Sequence, residues 1–146
     1  MLFRSGWMVL PEPLVRPVER IAQSLYISAP EASQIGAARA FEATDELRAV
    51  RDVYARNRSL LLDALPGLGF RTAAPLDGAF YAWVDVTALT DDAMGFARRM
   101  LAEAGVAAPP GHDFDPPRGH ERMRFSYAGS TGEIEDAVAR LTRWLG

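Results

Sequence analysis

Apolar residues follow two different spacings along this chain, and the changes between them mark its elements. Trp7–Met8–Val9–Leu10 is an unbroken apolar run stopped by Pro11, the pattern of a short strand buried on both faces of a sheet. From 14 to 26 the apolar positions Leu14, Val18, Ile21 and Leu25 instead recur at helical spacing and make one face, with Pro17 tolerated in the first turn. Ser28 and Glu31 stand at capping-box spacing and predict a second helix over residues 30–42. Thr44, followed by the acidic pair Asp45–Glu46, predicts the start of a long helix with Leu47, Val50, Tyr54, Leu60, Leu61 and Ala64 turned inward. Pro66–Gly67–Leu68–Gly69 ends it. A helix of about 20 residues is long enough to bridge two domains.

The spacing then shortens again. Residues 70–73 and 79–86 are strand-like, the second rich in aromatics (Phe80, Tyr81, Trp83), and Leu76–Asp77–Gly78 between them predicts a hairpin turn. Thr90 predicts the cap of a helix over 91–104 that Gly105 stops, and residues 106–108 predict a short strand running into Pro109–Pro110–Gly111. Residues 122–127 predict another strand, and Ser130 with Glu133 makes a capping box for a final helix through Trp144. The order from Thr44 is αββαββα. It predicts a small antiparallel or mixed sheet covered by helices, an α+β domain.

Composition sharpens this picture in a few places. A chain of 146 residues, 49% hydrophobic and 24% charged, is long enough for one ordinary core and too short for two, so one domain with an appendage is expected. The net charge of −3 and the scattered arginines give no basic footprint, so no nucleic-acid partner is expected. No cysteine is present, which excludes disulfides and thiolate metal sites and fits a reducing cytoplasmic setting. No apolar run reaches the roughly 18 residues of a membrane span. All 16 residues counted as Lys+Arg are arginine, so the chain offers no lysine side chain as an amine nucleophile.

Arg124, in Met123–Arg124–Phe125–Ser126–Tyr127, is the leading candidate for chemistry. On a strand it shares one face with Arg122 and Ser126, while Met123 and Phe125 face the other way. A guanidinium there serves either as a bidentate grip on a planar carboxylate or as half of a structural ion pair, and spacing does not choose between them. His112–Asp113 and His120–Glu121 carry acceptable metal ligands, but they lie in a Pro/Gly-rich loop without helical register and read as solvated loop residues. Asp45–Glu46 and Asp91–Asp92 read as first-turn carboxylates complementing helix dipoles. Gly67–Leu68–Gly69 lacks the flanking strand and helix of a dinucleotide fingerprint.

Taken in order, Arg4–Ser5–Gly6–Trp7, Ser28–Ala29–Pro30 with Ser33–Gln34, Asp77–Gly78–Ala79–Phe80–Tyr81, Pro110–Gly111–His112–Asp113–Phe114 and Arg124–Phe125–Ser126–Tyr127–Ala128 resemble the C-terminal part of class I/II aminotransferases. These are pyridoxal-phosphate enzymes with the fold of aspartate aminotransferase. The resemblance implies that residues 1–43 are the tail of an α/β large, cofactor-binding domain and that 44–146 are the interdomain helix and the α+β small domain. It implies that Arg124 clamps the substrate α-carboxylate, with Tyr81 and Phe114 on the substrate side of the cleft. Arg4 would hold the phosphate of pyridoxal 5'-phosphate, with Ser28 in the loop that approaches it. The reaction implied is amino transfer between a small amino acid and a 2-oxo acid, in a homodimer.

The family's cofactor-bearing lysine has no counterpart here, so this chain reads as a truncated piece that is inactive alone. A non-catalytic carboxylate-binding or interaction module, or part of a decarboxylase or lyase of the same fold, is the alternative. Without its parent sheet, the segment 7–42 would expose Trp7, Val9, Ile21 and Leu25.

Overall fold

A computed structural model describes residues 6–146 and contains two compact units, one running to Arg48 and the other Ala49–Gly146. In the first, residues 6–11 are extended without a ladder partner, and Trp7 and Val9 are 77% and 85% exposed. The buried strand expected there does not form, because a strand needs a neighbour to take its N–H and C=O groups and none of the described residues supplies one. Helix α1 (Glu12–Leu25) begins two residues earlier than its apolar face, so Pro17 lies inside it, past the first turn. Its face of Leu14, Ile21 and Leu25 is exposed. Helix α2 (Glu31–Ala40) is capped by Pro30 without a side-chain hydrogen bond, so the Ser28–Glu31 box is not made. The turn before it places Ile27 at φ 65°, with the Tyr26 and Ile27 amides both donating to the Ala22 carbonyl.

Helix α3 (Thr44–Ala64) forms over the expected span, but its burial is shifted. Leu47 and Val50 are exposed, and the residues it buries are Asn57 and Leu61. The 3-10 turn Pro66–Leu68 and left-handed Gly69 (φ 89°) end it.

The second unit is built on a three-stranded antiparallel sheet in the order β1 (Arg71–Thr72), β2 (Tyr81–Asp85), β3 (Arg122–Ser126). Both longer strands alternate strictly, burying Ala82 and Val84 on β2 and Met123 and Phe125 on β3. The fourth expected strand, at 106–108, is absent. Val106 and Ala108 are buried, but Pro109 and Pro110 have no amide to donate, and the contact with β3 reduces to a bridge at Pro110 and Met123.

Helix α4 (Ala93–Arg99) is capped by Asp92, which accepts from the Gly95 amide at 3.0 Å. Thr90, the cap expected from sequence, instead accepts from the Asp92 amide at 3.0 Å and sets the turn that delivers Asp92. A wide turn over Met100–Ala104 follows, stopped by left-handed Gly105. Helix α5 (Thr131–Leu145) starts with the expected Ser130–Glu133 box. Phe70 lies at the centre of the core, edge-on to Phe96 and Phe125 with ring centroids 6.2 and 5.1 Å away. Burying a side chain of that size contributes roughly 1.5–3 kcal/mol.

Candidate functional site

With one face of β2 and β3 committed to the core, the other carries Tyr81, Trp83 and Asp85 beside Arg122, Arg124 and Ser126. The register sets Asp85 opposite Arg122, Trp83 opposite Arg124 and Tyr81 opposite Ser126. Two arginines two residues apart on the same face therefore meet different neighbours. The Arg122 guanidinium donates to the Asp85 carboxylate, and the two side chains are only 12% and 18% exposed. Burial opposes the charge on Asp85, but hydrogen bonds from the Thr87 hydroxyl and amide and from Arg122 outweigh it and hold the carboxyl well below the usual carboxylate range. The structural ion pair that the sequence left open as the alternative for Arg124 is thus made by its neighbour Arg122.

Arg124 makes none among the described residues. Its guanidinium carbon lies 4.1 Å from the ring centroid of Tyr81 and 4.3 Å from that of Phe114. Phe114 is itself edge-on to Trp83, with centroids 6.1 Å apart. The Arg124 Nε is buried without a hydrogen-bond partner. Flanking rings stabilise a cation through their negative faces and leave the in-plane N–H donors free. A guanidinium so held suits a planar, bidentate anion such as a carboxylate.

The loop that brings Phe114 to this face depends on two glycines. Turns Gly111–Asp113 and Gly119–Glu121 pack so closely that a Cβ on Gly119 would stand 2.5 Å from the His112 backbone. One on Gly111 would stand 2.8 Å from the Trp83 ring. The Phe114 and Asp115 amides both donate to the Gly111 carbonyl at 2.9 Å, fixing the direction in which the ring leaves the loop.

Of the residues singled out from sequence, the structure brings Tyr81, Phe114 and Arg124 into contact. Ser28 is exposed and borders a recess of about 480 Å³ in the first unit, with Gly6, Trp7, Tyr26 and Pro30. Arg4 lies outside the described residues. His112 and His120 are exposed, and among the described residues no group of three or more His, Asp or Glu is placed to hold a metal ion. No helix among them is long and apolar enough to cross a membrane.

Sequence reasoning missed Asn57, which is fully buried. Its Nδ2 donates to the carbonyls of Tyr127 at 3.1 Å and Gly129 at 2.8 Å, immediately beyond β3. The available signal was a polar residue three positions after Tyr54 and four before Leu61, on the inward face of α3.

The geometry is that of an α+β domain whose small sheet presents an arginine without an acidic partner among the described residues. The chain belongs to the class I and II aminotransferase family, whose model matches residues 2–141. It is 45% identical over 145 residues to a valine–pyruvate aminotransferase of Mycobacterium tuberculosis, covering 98% of this chain and 37% of that protein. An arginine–pyruvate transaminase of Pseudomonas aeruginosa is 36% identical over 126 residues, covering 83% of this chain and 31% of its own length. A solved structure from Silicibacter pomeroyi matches with a TM-score of 0.90 at 53% identity, over 98% of this chain and 39% of that one. The match lies in the C-terminal part of these relatives, and the chain spans between 31% and 39% of their length.

Pyridoxal 5'-phosphate is the cofactor expected of this family. The described residues do not by themselves form a site for it: the chain has no lysine, and Ser28 offers a single exposed hydroxyl.

Proposed function

We propose that Arg124 is the substrate-carboxylate clamp of an aminotransferase, with Tyr81 and Phe114 holding the guanidinium in place, and that the reaction exchanges an amino group between a small amino acid and a 2-oxo acid. The observation that carries this is a half-buried guanidinium stacked between two rings with no acidic partner among the described residues, two positions from an arginine that has one. The names of two relatives pair different amino acids with pyruvate, which supports pyruvate as the 2-oxo acid. A charge-assisted pair of this kind contributes about 1.5–3 kcal/mol, and its role is orientation: it sets the angle at which the Cα–H bond is presented. Pyridoxal 5'-phosphate, when bound in the complete site, would supply the electron sink.

In the same reading residues 1–43 belong to a cofactor-binding domain, with Arg4 and Ser28 near the cofactor phosphate. Residues 44–146 form the bridging helix and small domain, within a homodimer. This chain alone does not transaminate, because no side-chain amine can carry the cofactor covalently.

Titration of the 15N-labelled chain with pyruvate tests the clamp. The Arg124 Nε–H resonance is expected to move saturably, and Arg124→Gln is expected to abolish binding while keeping the fold. A resonance that ignores pyruvate overturns the assignment. Incubation with pyridoxal phosphate followed by borohydride and peptide mapping tests the inactivity, since a label on any side chain would sink that part.

A further inference from the structure

We infer that Asn57 is a positioning residue for Arg124, fixing the arginine strand and its aromatic wall to helix α3. The inference rests on the clamp reading of Arg124 for its functional meaning, and on geometry alone for the positioning.

Asn57 sits in the second half of α3, fully buried, and both Nδ2 protons are used on the Tyr127 and Gly129 carbonyls. Those carbonyls belong to the exit of β3, three and five residues after Arg124. Tyr127, also buried, carries the connection onward. Its amide donates to the Phe80 carbonyl at 2.9 Å, and its hydroxyl donates to the Ala79 carbonyl at 3.2 Å. Ala79 holds φ 58°, a left-handed conformation that a residue with a Cβ adopts only against steric strain, so the surrounding bonds must impose it. Immediately after this turn comes Tyr81, one of the two rings that flank Arg124.

A continuous hydrogen-bonded chain thus runs from α3 through Tyr127 to the turn that launches Tyr81, touching both the strand that carries the guanidinium and the strand that carries its wall. Asn57 is its anchor on the helix. A purely packing role would be filled better by leucine, since the Asn57 Oδ1 is buried without a hydrogen-bond partner, which carries a desolvation cost. What asparagine offers and leucine does not is a pair of donors at fixed separation for two carbonyls on an irregular stretch.

The full chain provides the test, read at Arg124 and not at Asn57. Stacked between Tyr81 and Phe114, the Arg124 Nε–H should resonate with a ring-current shift that reports its placement without any ligand. Asn57→Leu is expected to move that resonance towards its ordinary position and to weaken pyruvate binding about threefold or more. Leu61→Ala, one turn along α3 and within the core, is expected to lower the melting temperature while leaving the resonance in place. Should Asn57→Leu not fold, Asn57→Ser, which keeps one hydroxyl donor, carries the same comparison, with a smaller movement expected. An unmoved resonance in the folded Asn57 variant overturns the inference, as does an equal movement in Leu61→Ala, which would make the effect one of general stability. A wild-type chain with the shifted resonance but no response to pyruvate would overturn the clamp reading and leave the positioning intact.

Discussion

Leu25 and Leu65 each close an amphipathic helical run, yet Leu25 is 74% exposed and Leu65 is completely buried. The difference extends to the units they belong to. Among the described residues, the buried hydrophobic side chains all lie between Leu61 and Leu141, and the single buried residue before Ala49 is Ser33. Helical periodicity defines which face would be covered; it does not supply the cover. In the second unit α3, α4, α5 and the sheet provide surfaces for one another. In the first, α1 keeps its apolar stripe in contact with solvent.

Dissection at residue 44 breaks this comparison most directly. Residues 44–146 alone are expected to keep a single cooperative thermal transition by circular dichroism, and residues 1–43 alone to show none. The full chain should bind a hydrophobic dye that 44–146 does not. A fragment 44–146 that fails to fold would mean that the first unit contributes more than its burial indicates.

Single substitutions sharpen the contrast. Phe70→Ala removes the ring that meets Phe96 and Phe125 and should cost about 3–5 kcal/mol in urea denaturation. Ile21→Ala, on the exposed stripe of α1, should stay within about 0.5 kcal/mol.

Next in size comes the pair of arginines. Arg122→Gln leaves the mostly buried Asp85 carboxylate without its ion-pair partner and is expected to cost about 1–3 kcal/mol, whereas Arg124→Gln should change stability much less and carboxylate binding much more. The pH dependence follows from the lowered Asp85 value. Its stabilisation is complete above the unfolded-state value of about 3.9 and is lost as pH falls through the lower folded-state value. Urea midpoints measured downward from pH 4 should therefore decline, and decline less in Arg122→Gln, where the Thr87 hydrogen bonds alone still favour the carboxylate.

A smaller effect than the loss of the Arg122 ion pair belongs to the α5 cap. The Glu133 carboxylate is lowered by the Ser130 amide and then by the Ser130 hydroxyl, and Ser130→Ala, which removes only the hydroxyl, should cost about 1 kcal/mol in the same assay.

Local chemistry was legible wherever the determinant was local. The Ser130–Glu133 box, the Gly105 stop, the strand at β2, and the side of β3 on which Arg124 lies all follow from neighbours within a few residues. The buried strand at 7–10 and the inward turn of Leu47 and Val50 were misread for one shared reason: burial is a property of two surfaces, and the sequence shows one at a time. The strand at 106–108 failed because two prolines next to it removed the amides a ladder needs.

The sequence by itself determined that this chain has helices at these positions, a small aromatic-rich sheet, an arginine opposite the apolar side of its strand, and no lysine. Tertiary structure decided which arginine is paired. Arg122 and Arg124 are chemically identical and occupy the same face, so no periodicity separates them. Antiparallel register places Asp85 against one and Trp83 against the other, and the loop held by Gly111 and Gly119 then closes Phe114 over the second. Asn57 belongs with these decisions, because a polar residue on an apolar helix face acquires meaning only when the carbonyls of Tyr127 and Gly129, 70 and 72 positions along in numbering though adjacent in space, arrive to meet it.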